Sequence, residues 1–434
     1  MQKLLLTHCS ALVPDGANGY THLDPAFVGI TNDTITYIGS EAPEGEWTKK
    51  DLHGALLIPG LVNAHTHAAM TLLRGRGSGL PLDRWLNEAI FPIEDRMTRE
   101  DMAAGNALAQ LEMLRTGTTS YSDMYYNLDT EAELTLQSGM KVNLGRAITS
   151  FDPNESALDS YRVRETLDLF DAWHGKANGR IRVDFSIHAE YTCTERMARE
   201  FAALGAERGA RMHLHLSETV KEHAACKAKY GKTPTEWFRD LGVLALPTAA
   251  AHCVTVEDGD LEILKACGVS PVHNPSSNLK LGSGVMRLKS MLDAGLNVGL
   301  GTDGAASNDN LNMIEEMHIA ALLHNGALQD PTAIRPADVL NMASVNGARL
   351  QGRSDTGVLA VGKKADIAAI ALDAPHLMPM FDPLALLTYS VSGSDVCMTM
   401  VDGKILYENG EYFTLDAERI RFEARAALNR LYGA

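Results

Sequence analysis

The amino-acid sequence predicts an α/β protein, a (β/α)8 barrel carrying a small β-sandwich built from both ends of the chain. Between about residue 60 and residue 350, eight short apolar runs alternate with longer helical stretches, and the runs end in polar residues. This alternation is typical of parallel strands joined by helices. Periodicity alone also permits an open sheet. The length of 434 residues suits one barrel and one smaller unit.

The eight barrel strands are predicted from apolar runs bounded by polar or turn residues. They are Ala55–Ala64, Thr118–Met124, Lys141–Ile148, Ile181–His188, Arg211–Leu216, Thr248–Cys253, Val269–His273 and Leu296–Thr302.

Both ends of the chain show short alternating strands separated by turn residues. Near the N-terminus these are Ala26–Ile30 and Thr34–Ile38, and the pattern returns in Gly357–Ile370 and Asp395–Leu406. A final helix is predicted from Ala417 to about residue 431. The predicted domains are therefore residues 1–59 with 353–434 for the β-sandwich and C-terminal helix, and residues 60–352 for the barrel.

Composition restricts the partners and the location of the protein. The 55 acidic against 39 basic residues give a net charge of −16, which disfavours binding to nucleic acid. No segment approaches the roughly 18 uninterrupted apolar residues of a membrane span. The N-terminus lacks the apolar core of a secretory signal. Six cysteines without a CxxC pair favour a reducing compartment, so a cytoplasmic protein without a membrane partner is predicted.

Two histidines follow the first predicted barrel strand with the spacing of metal ligands. In Asn63-Ala64-His65-Thr66-His67 the two imidazoles stand two residues apart, so on a strand both point to one face. Such a pair is a template for a metal ion, although on its own it is a weak signal.

Further polar side chains fall at the ends of three other predicted strands. His215 ends the fifth run, with Glu218 three residues beyond, and His252 and Asp303 follow the sixth and eighth runs. The carboxyl ends of barrel strands meet at the face where barrel enzymes carry their active sites. His213 would lie one layer deeper, and a structural role is favoured for it.

Three imidazoles and one carboxylate form a nitrogen and oxygen ligand set suited to Zn²⁺, with Fe²⁺ as the alternative. The predicted metal ligands are His65, His67, His215 and Asp303. A bound divalent metal makes hydroxide available near neutral pH. Glu218 and Asp303 are the predicted proton carriers, and His252 is predicted to orient the water or stabilise charge.

Competing motifs are less complete. Gly299–Gly304 matches GxGxxG but is not followed by an evident helix, which disfavours dinucleotide binding. Gly357–Lys364 resembles a phosphate loop but has lysine where serine or threonine should bind Mg²⁺. His188-Ala189-Glu190 resembles the HxE motif of zinc cytidine-type deaminases, yet no PCxxC follows it. No GxSxG nucleophile motif is present.

Several long motifs, in order, resemble those of the amidohydrolase superfamily and its aminohydrolase/chlorohydrolase branch. They are Pro59–His67, Trp85-Leu86, Pro92–Glu94, Gly117–Ser120, His215–Thr219, Ala251–Cys253, His273–Leu281, Gly301–Ser307 and Gly362–Asp366. The resemblance implies a barrel with a flanking β-sandwich, one divalent metal and hydrolytic release of ammonia from an aromatic ring. Binuclear members resemble a different pattern, with a carbamylated lysine on the fourth strand. The segment Arg180–Tyr191 contains no lysine, which is consistent with one metal.

The same resemblance implies a set of substrate contacts in addition to Glu218 and Asp303. Glu94 would accept hydrogen bonds from ribose hydroxyls, Arg146 would bind the polar tail of a nucleoside, and His188 would contact the purine. Trp85 would pack on the nucleoside, and Ser307 lies in the loop that lines the pocket.

Two departures from the family pattern concern the substrate. Glu190 stands where the family often has proline, which could alter what the pocket accepts. A second tail-binding arginine expected near Leu158 is absent, so it is missing or replaced by Arg162 or Arg164. The choice among adenosine analogues therefore stays open.

The resemblance implies a metal-dependent hydrolytic deaminase of adenosine-type nucleosides: 5′-methylthioadenosine, S-adenosylhomocysteine, 5′-deoxyadenosine or adenosine. A related enzyme acting on guanine, an oxidised purine, a pterin or a triazine, including removal of chloride, is the alternative. A non-enzymatic scaffold is a remote one. A homo-oligomer is expected for an enzyme of this class.

Overall fold

The computed structural model describes residues 3–16 and 18–433 and contains two eight-stranded sheets. The first four strands are β1 (Lys3–Pro14), β2 (Tyr20–Thr31), β3 (Thr34–Gly39) and β4 (Thr48–Pro59). The next eight are β5 (Leu61–Thr66), β6 (Thr118–Tyr125), β7 (Lys141–Ile148), β8 (Ile181–Ile187), β9 (Met212–Leu216), β10 (Thr248–His252), β11 (Ser270–His273) and β12 (Gly299–Leu300). The last four are β13 (Ile367–Ile370), β14 (Val396–Val401), β15 (Lys404–Glu408) and β16 (Glu411–Tyr412).

Strands β5 to β12 form the predicted parallel barrel in consecutive order. Every residue of β5, β6, β7, β9 and β10 is buried, which explains why these strands read as continuous apolar runs. The barrel closes where the chain after β12 meets β5: the Asp303 N–H donates to the His65 carbonyl at 3.0 Å. The Asn63 amide side chain adds hydrogen bonds to Thr302 of 2.7 and 3.0 Å.

Helices connect the strands. Those of six residues or more are Arg99–Arg115, Leu128–Ser138, Tyr161–Trp173, Glu195–Glu207, Val220–Tyr230, Pro234–Asp240, Asp258–Ala266, Pro275–Lys280, Leu288–Asp293, Met313–Leu328, Pro336–Asn341, Pro383–Tyr389 and Ala417–Tyr432. Segments of 3₁₀-helix are Ala68–Leu73, Glu190–Thr192, Val243–Ala245, Pro375–Leu377 and Gly393–Asp395. Segments of π-helix are Trp85–Ile90 and Met342–Asn346. Short α-helical segments are Leu82–Arg84, Phe91–Glu94, Lys176–Gly179, Ala305–Asn308 and Gly347–Leu350. Within the described residues, we find no helix with the length and apolar character needed to cross a membrane.

Both chain ends join in the second sheet, as the sequence predicts. Its strand order is β16-β15-β14-β13-β4-β1-β2-β3, so β4 lies between a strand of the C-terminal part and one of the N-terminal part. It pairs parallel with β1 and antiparallel with β13. Leu6, Val28 and Leu57 pack in one core with Ile367 and Met398, and this shared core holds the two ends together.

The boundaries of some predicted strands are wrong. The run Ala55–Ala64 is divided at Gly60, where the chain leaves the terminal sheet and enters the barrel. The Gly60 N–H donates to the carbonyl of Asp366, next to β13 of the second sheet, at 2.9 Å. The Leu61 N–H donates to the carbonyl of Gly117, next to β6 of the barrel, at 3.0 Å. Only Ile367–Ile370 of the run that begins at Gly357 forms a strand. The last barrel strand is limited to Gly299–Leu300.

Candidate metal centre and active site

The predicted polar side chains meet at the carboxyl ends of the barrel strands. His65 lies in β5 and His67 directly after it, His215 lies in β9, His252 ends β10, and Asp303 follows β12. The backbone turns sharply at two of these positions, with φ of 73° at His252 and 60° at Asp303. Left-handed φ is uncommon outside glycine and clusters at functional sites, where it redirects a side chain.

Three imidazoles and a carboxylate converge with the spacing of a metal site. The Nε2 atoms of His67 and His65 lie 3.2 and 3.4 Å from Asp303 Oδ1, and His215 Nε2 lies 3.3 Å from His67 Nε2. His65 Nε2 is buried without a hydrogen-bond partner. A buried nitrogen left unsatisfied among other ligand atoms fits a site built to coordinate an ion.

The second nitrogen of each of these imidazoles is already held. His67 Nδ1 donates to the Met124 carbonyl at 2.6 Å and His215 Nδ1 to the His188 carbonyl at 2.8 Å. His65 Nδ1 lies 2.9 Å from His213 Nε2. These contacts fix the rings and leave the Nε2 atoms facing the centre, which is how partners outside the ligand set orient metal-binding histidines.

Asp303 is oriented by two serines. Its Oδ2 accepts hydrogen bonds from Ser277 at 2.6 Å and Ser307 at 2.8 Å, which leaves Oδ1 turned to the imidazoles. Burial opposes ionisation, but the imidazoles of His65 and His67 beside its Oδ1 outweigh it and hold the pKa of Asp303 well below its usual range. The carboxylate is therefore available as a ligand and proton acceptor.

Glu218 and His252 stand beside the cluster. Glu218 Oε1 accepts a hydrogen bond from Ser283 at 2.9 Å, and its Oε2 lies 3.8 Å from His252 Nε2. Asn278 holds the other ring nitrogen of His252 at 2.8 Å. Burial raises the pKa of Glu218, which favours a carboxyl group that can donate a proton near neutral pH.

A cavity opens above these groups. At its base lie His67, His215, Glu218, His252 and Asp303, and around its walls lie Met70, Leu82, Trp85, Leu86, Phe91, Glu94, Met124, Tyr125, Tyr126, Ala147, His188, Tyr191 and Leu281. Burial lowers the pKa of His188 to about 4, so its ring is neutral at physiological pH.

Glu94 and Trp85 line the cavity, and a hydrogen bond holds each of them in place. The Tyr125 hydroxyl donates to Glu94 Oε1, and burial raises the pKa of this carboxyl group. Trp85 Nε1 donates to the Arg76 carbonyl at 3.0 Å, which fixes the indole at the cavity wall.

The structure does not bring Arg146 or Ser307 to the cavity wall. Arg146 Nε pairs with Glu165 at 2.7 Å, and its guanidinium lies 5.2 Å from the ring of Tyr126, which does line the cavity. Ser307 lies behind Asp303 as one of its hydrogen-bond donors. Neither Arg162, stacked on its neighbouring tyrosine at 4.6 Å, nor the exposed Arg164 is a lining residue.

Sequence reasoning missed the residues that orient the site. Tyr125, Ser277, Asn278 and Ser283 each hold one of the polar groups described above. Tyr125 directly follows the predicted second strand, and two of the others fall in the His273–Leu281 motif. Their partners come from distant parts of the chain, so no local pattern identifies the contacts.

Fold and site together define a class of protein, a barrel hydrolase that works with a bound metal. The chain belongs to the amidohydrolase family, whose profile matches residues 56–406.

Relatives cover nearly the whole chain. A 5-methylthioadenosine/S-adenosylhomocysteine deaminase from Caldanaerobacter subterraneus subsp. tengcongensis is 42% identical over 414 residues, 94% of both chains. A 5′-deoxyadenosine deaminase from Methanosarcina mazei is 42% identical over 404 residues, 93% of both. The structure of an adenosine deaminase from Xanthomonas campestris with bound zinc is 31% identical, with a TM-score of 0.93, and the match covers 100% of this chain and 99% of that one.

Proposed function

We propose that the protein is a metal-dependent aminohydrolase that removes the 6-amino group of adenosine-type nucleosides. The substrates are 5′-methylthioadenosine, S-adenosylhomocysteine, 5′-deoxyadenosine or adenosine, and the products are the inosine analogue and ammonia. The observation that carries the proposal is the placement of Glu218, His252 and Asp303 at the base of one cavity, beside the imidazole cluster. The names of the relatives support the choice of substrate class.

We assign one metal ion, zinc, to the cluster. Three imidazoles and one carboxylate are a set that zinc accepts, and iron(II) is the alternative. The bound zinc in the Xanthomonas campestris relative supports zinc. The ligands are His65, His67, His215 and Asp303. When bound, the metal acidifies water and so supplies the nucleophile at neutral pH.

The protein's own groups move the protons. Glu218 donates to N1 of the purine as water adds to C6, and Asp303 accepts the proton that the water loses. Asp303 then passes this proton to the amino group, the C6–N bond breaks and ammonia leaves. The remaining hydroxyl proton returns to Glu218, so the product keeps hydrogen on N1 and a carbonyl at C6. His252, held by Asn278, stabilises charge on the oxygen that attacks C6.

The walls of the cavity favour a nucleoside over a free base. Glu94 places carboxylate oxygens within the cavity, and we assign it to the ribose hydroxyls. Trp85 and His188 contact the nucleoside from the same wall. Arg146 reaches a 5′ substituent once the ring of Tyr126 moves, since the guanidinium lies behind it. Ser307 acts on the substrate through Asp303, which it orients.

A substrate panel tests the proposal. We would follow ammonia release by the zinc-loaded protein from adenosine, 5′-deoxyadenosine, 5′-methylthioadenosine, S-adenosylhomocysteine, guanine and a pterin. Turnover of one or more of the nucleosides with little turnover of the bases is expected. Activity confined to guanine or the pterin would keep the metal chemistry and overturn the role given to Glu94.

Four further predictions from the sequence belong to this proposal. We expect a homo-oligomer in the cytoplasm. We also expect no binding to nucleic acid, because the net charge is −16. We also expect the domain division at about residues 60 and 352, and the end of β4 at Pro59 with the start of β5 at Leu61 supports its first boundary.

A further inference from the structure

A buried glutamate on a helix beyond the last barrel strand lies outside the chemistry described so far. Glu316 belongs to the helix Met313–Leu328, and its side chain is fully buried. Within the described residues, no lysine or arginine forms a salt bridge with it. Burying a carboxylate without a cation costs free energy unless hydrogen bonds compensate it, so the donors that face Glu316 indicate its role.

Three hydrogen bonds from two separate segments reach this carboxylate. Glu316 Oε2 accepts the backbone N–H of Ser276 at 3.2 Å, and Oε1 accepts the Ser276 hydroxyl. Oε1 also accepts the side-chain amide of Asn308 at 2.8 Å. Ser276 lies in the helix Pro275–Lys280 and Asn308 in the short helix Ala305–Asn308. The carboxylate therefore joins the segment after β11 to the segment after β12.

The segment after β11 carries two of the groups that orient the active site. Directly after the bound serine, Ser277 donates to Asp303 Oδ2 at 2.6 Å, and Asn278 holds His252 Nδ1 at 2.8 Å. Both residues belong to the first turns of one short helix. A movement of this helix would therefore displace the partners of Asp303 and of His252 together.

The segment after β12 carries the metal-binding carboxylate and its second orienting serine. Ser307, next to Asn308, donates to Asp303 Oδ2 at 2.8 Å. The Asn308 side-chain nitrogen that binds Glu316 also donates to the Thr302 carbonyl at 2.8 Å, directly before Asp303. Asp303 has a left-handed φ of 60°, a conformation that surrounding contacts must hold. Glu316 thus supports, through Asn308, the backbone that presents Asp303.

We propose that Glu316 is a positioning residue for deamination: its carboxylate holds the helix Pro275–Lys280 against the segment Ala305–Asn308 and so keeps Asp303 and His252 in the geometry of the reaction. The inference rests on the proposed function and deepens the account of the same site. Glu316 does not line the cavity, so it acts on the reaction only through these two segments.

The test compares kcat and KM of the wild-type protein, Glu316→Gln, Asn308→Ala and the double variant. Burial raises the pKa of Glu316 to about 7, although hydrogen bonds from Ser276 and Asn308 lower it, so assays at about pH 8.5 keep the group ionised. Glutamine has the same size, but its NH₂ group would face donors that the carboxylate accepts. We expect kcat to fall about tenfold with KM little changed, because the reacting groups are misplaced while the cavity walls are not.

The double variant shows whether the two residues act through one contact. Its loss in kcat should be smaller than the product of the single losses, because both substitutions break the same hydrogen bond. Losses that multiply, or a wild-type kcat in Glu316→Gln, would overturn the proposal.

Two controls separate positioning from a general loss of stability. Glu315→Gln changes the exposed neighbour on the same helix and should keep full activity. Asp366→Asn changes a buried carboxylate that pairs with Lys141 at the start of β7, away from the carboxyl ends of the strands. It should lower stability and leave kcat at 25 °C unchanged. An equal fall in kcat for Asp366→Asn would show that lost stability explains the effect, and the positioning role would be wrong.

A second measurement does not depend on activity. Amide hydrogen exchange should speed up across both residues 275–281 and 304–309 in Glu316→Gln, and across neither in Glu315→Gln. A wild-type rate in either segment of Glu316→Gln would overturn the proposal. If that variant does not fold, Asn308→Ala decides: exchange across 304–309 should speed up and kcat should fall, and a wild-type kcat would contradict the role.

The proposed function can fail separately. Failure of the wild-type protein to release ammonia from every nucleoside would count against the proposed function, and the exchange data would then decide whether Glu316 holds the two segments together.

Discussion

At the residue scale, the chemistry depends on how the protein sets the proton affinity of single side chains. Glu218 is buried and lies 3.8 Å from His252, yet stays outside the ligand cluster formed by His65, His67, His215 and Asp303. Its role is therefore separable from metal binding, and substitution can distinguish the two.

Replacing Glu218 by glutamine should remove catalysis and keep the metal. The amide cannot donate and recover a proton during the reaction, so kcat should fall by about 10² to 10⁴. Zinc content, measured by atomic emission, should match wild type. Glu262→Gln, on the exposed face of the helix Asp258–Ala266, is the matched control with full activity. Full turnover by Glu218→Gln would contradict the assignment.

Replacing Ser283 by alanine should shift the pH dependence in a known direction. Its hydroxyl donates to the ionised form of Glu218 and so lowers the pKa of that group against the raising effect of burial. Without it the pKa of Glu218 rises further, and Glu218 keeps its proton to higher pH. The alkaline limb of kcat/KM should therefore move upward, and a downward shift would show that Glu218 acts in the opposite ionisation state.

The sequence predicted the groups that do chemistry better than those that position them. His65, His67, His215 and Asp303 were recognisable because each lies at or just beyond the end of a predicted strand, and parallel strands bring their carboxyl ends together. The position of Arg146 behind Tyr126 could not be predicted, because it depends on how a side chain of β7 packs against the residue that follows β6.

At the element scale, the site depends on the closure of the barrel between β5 and β12. Gly301, just after β12, lies so close to β5 that a Cβ atom would stand 2.8 Å from the His65 amide nitrogen and 2.9 Å from its carbonyl oxygen. The close approach of two backbones explains why this position takes glycine.

Replacing Gly301 by alanine should therefore force β12 away from the first metal-binding histidine. We expect a loss of about 2 kcal/mol in the free energy of unfolding, together with weaker zinc retention. Both are measured on the same protein, by urea denaturation and by dialysis against a chelator. Gly259→Ala is the control, because a Cβ there meets open space in a helix. Wild-type zinc retention in Gly301→Ala would show that closure does not support the centre.

The strands that the sequence predicted well are those buried on both sides. The observed β7 spans Lys141–Ile148, the range predicted, because a central parallel strand reads as one apolar run. The run Ala55–Ala64 was equally apolar but serves two sheets, and only the tertiary contacts of Gly60 reveal the division. The last barrel strand, β12, contains two residues, because the chain turns after Leu300 into the loop that carries Asp303.

At the scale of the whole molecule, a buried ion pair ties the barrel to the terminal sheet. Lys141 at the start of β7 pairs with Asp366 and, at 2.7 Å, with Asp402. Asp366 is 2% exposed and follows the bend that leads into β13. The lysine therefore neutralises carboxylates of the second sheet from within the barrel.

Replacing Lys141 by methionine should leave the buried Asp366 carboxylate without its cation. We expect a loss of about 3 kcal/mol in the free energy of unfolding, since breaking one side of a buried pair strands the other charge. The kcat at 25 °C should stay near wild type because the pair is remote from the site. Lys227→Met, which breaks an exposed pair with Glu257, is the control and should leave stability nearly unchanged. Equal stability of both variants would show that the ion pair does not hold the two sheets together.

The central claim is hydrolytic deamination, and isotope incorporation tests it most directly. We would incubate the zinc-loaded protein with 5′-deoxyadenosine in water enriched in ¹⁸O, then measure ammonia and analyse the nucleoside product by mass spectrometry. The account predicts one ammonia and one ¹⁸O atom at C6 for each substrate consumed, with both lost after zinc is removed and regained when it is restored. If 5′-deoxyadenosine is not deaminated, the same measurement is made with the other three nucleosides of the panel. Absence of ammonia from all four, or a product without ¹⁸O, would contradict it.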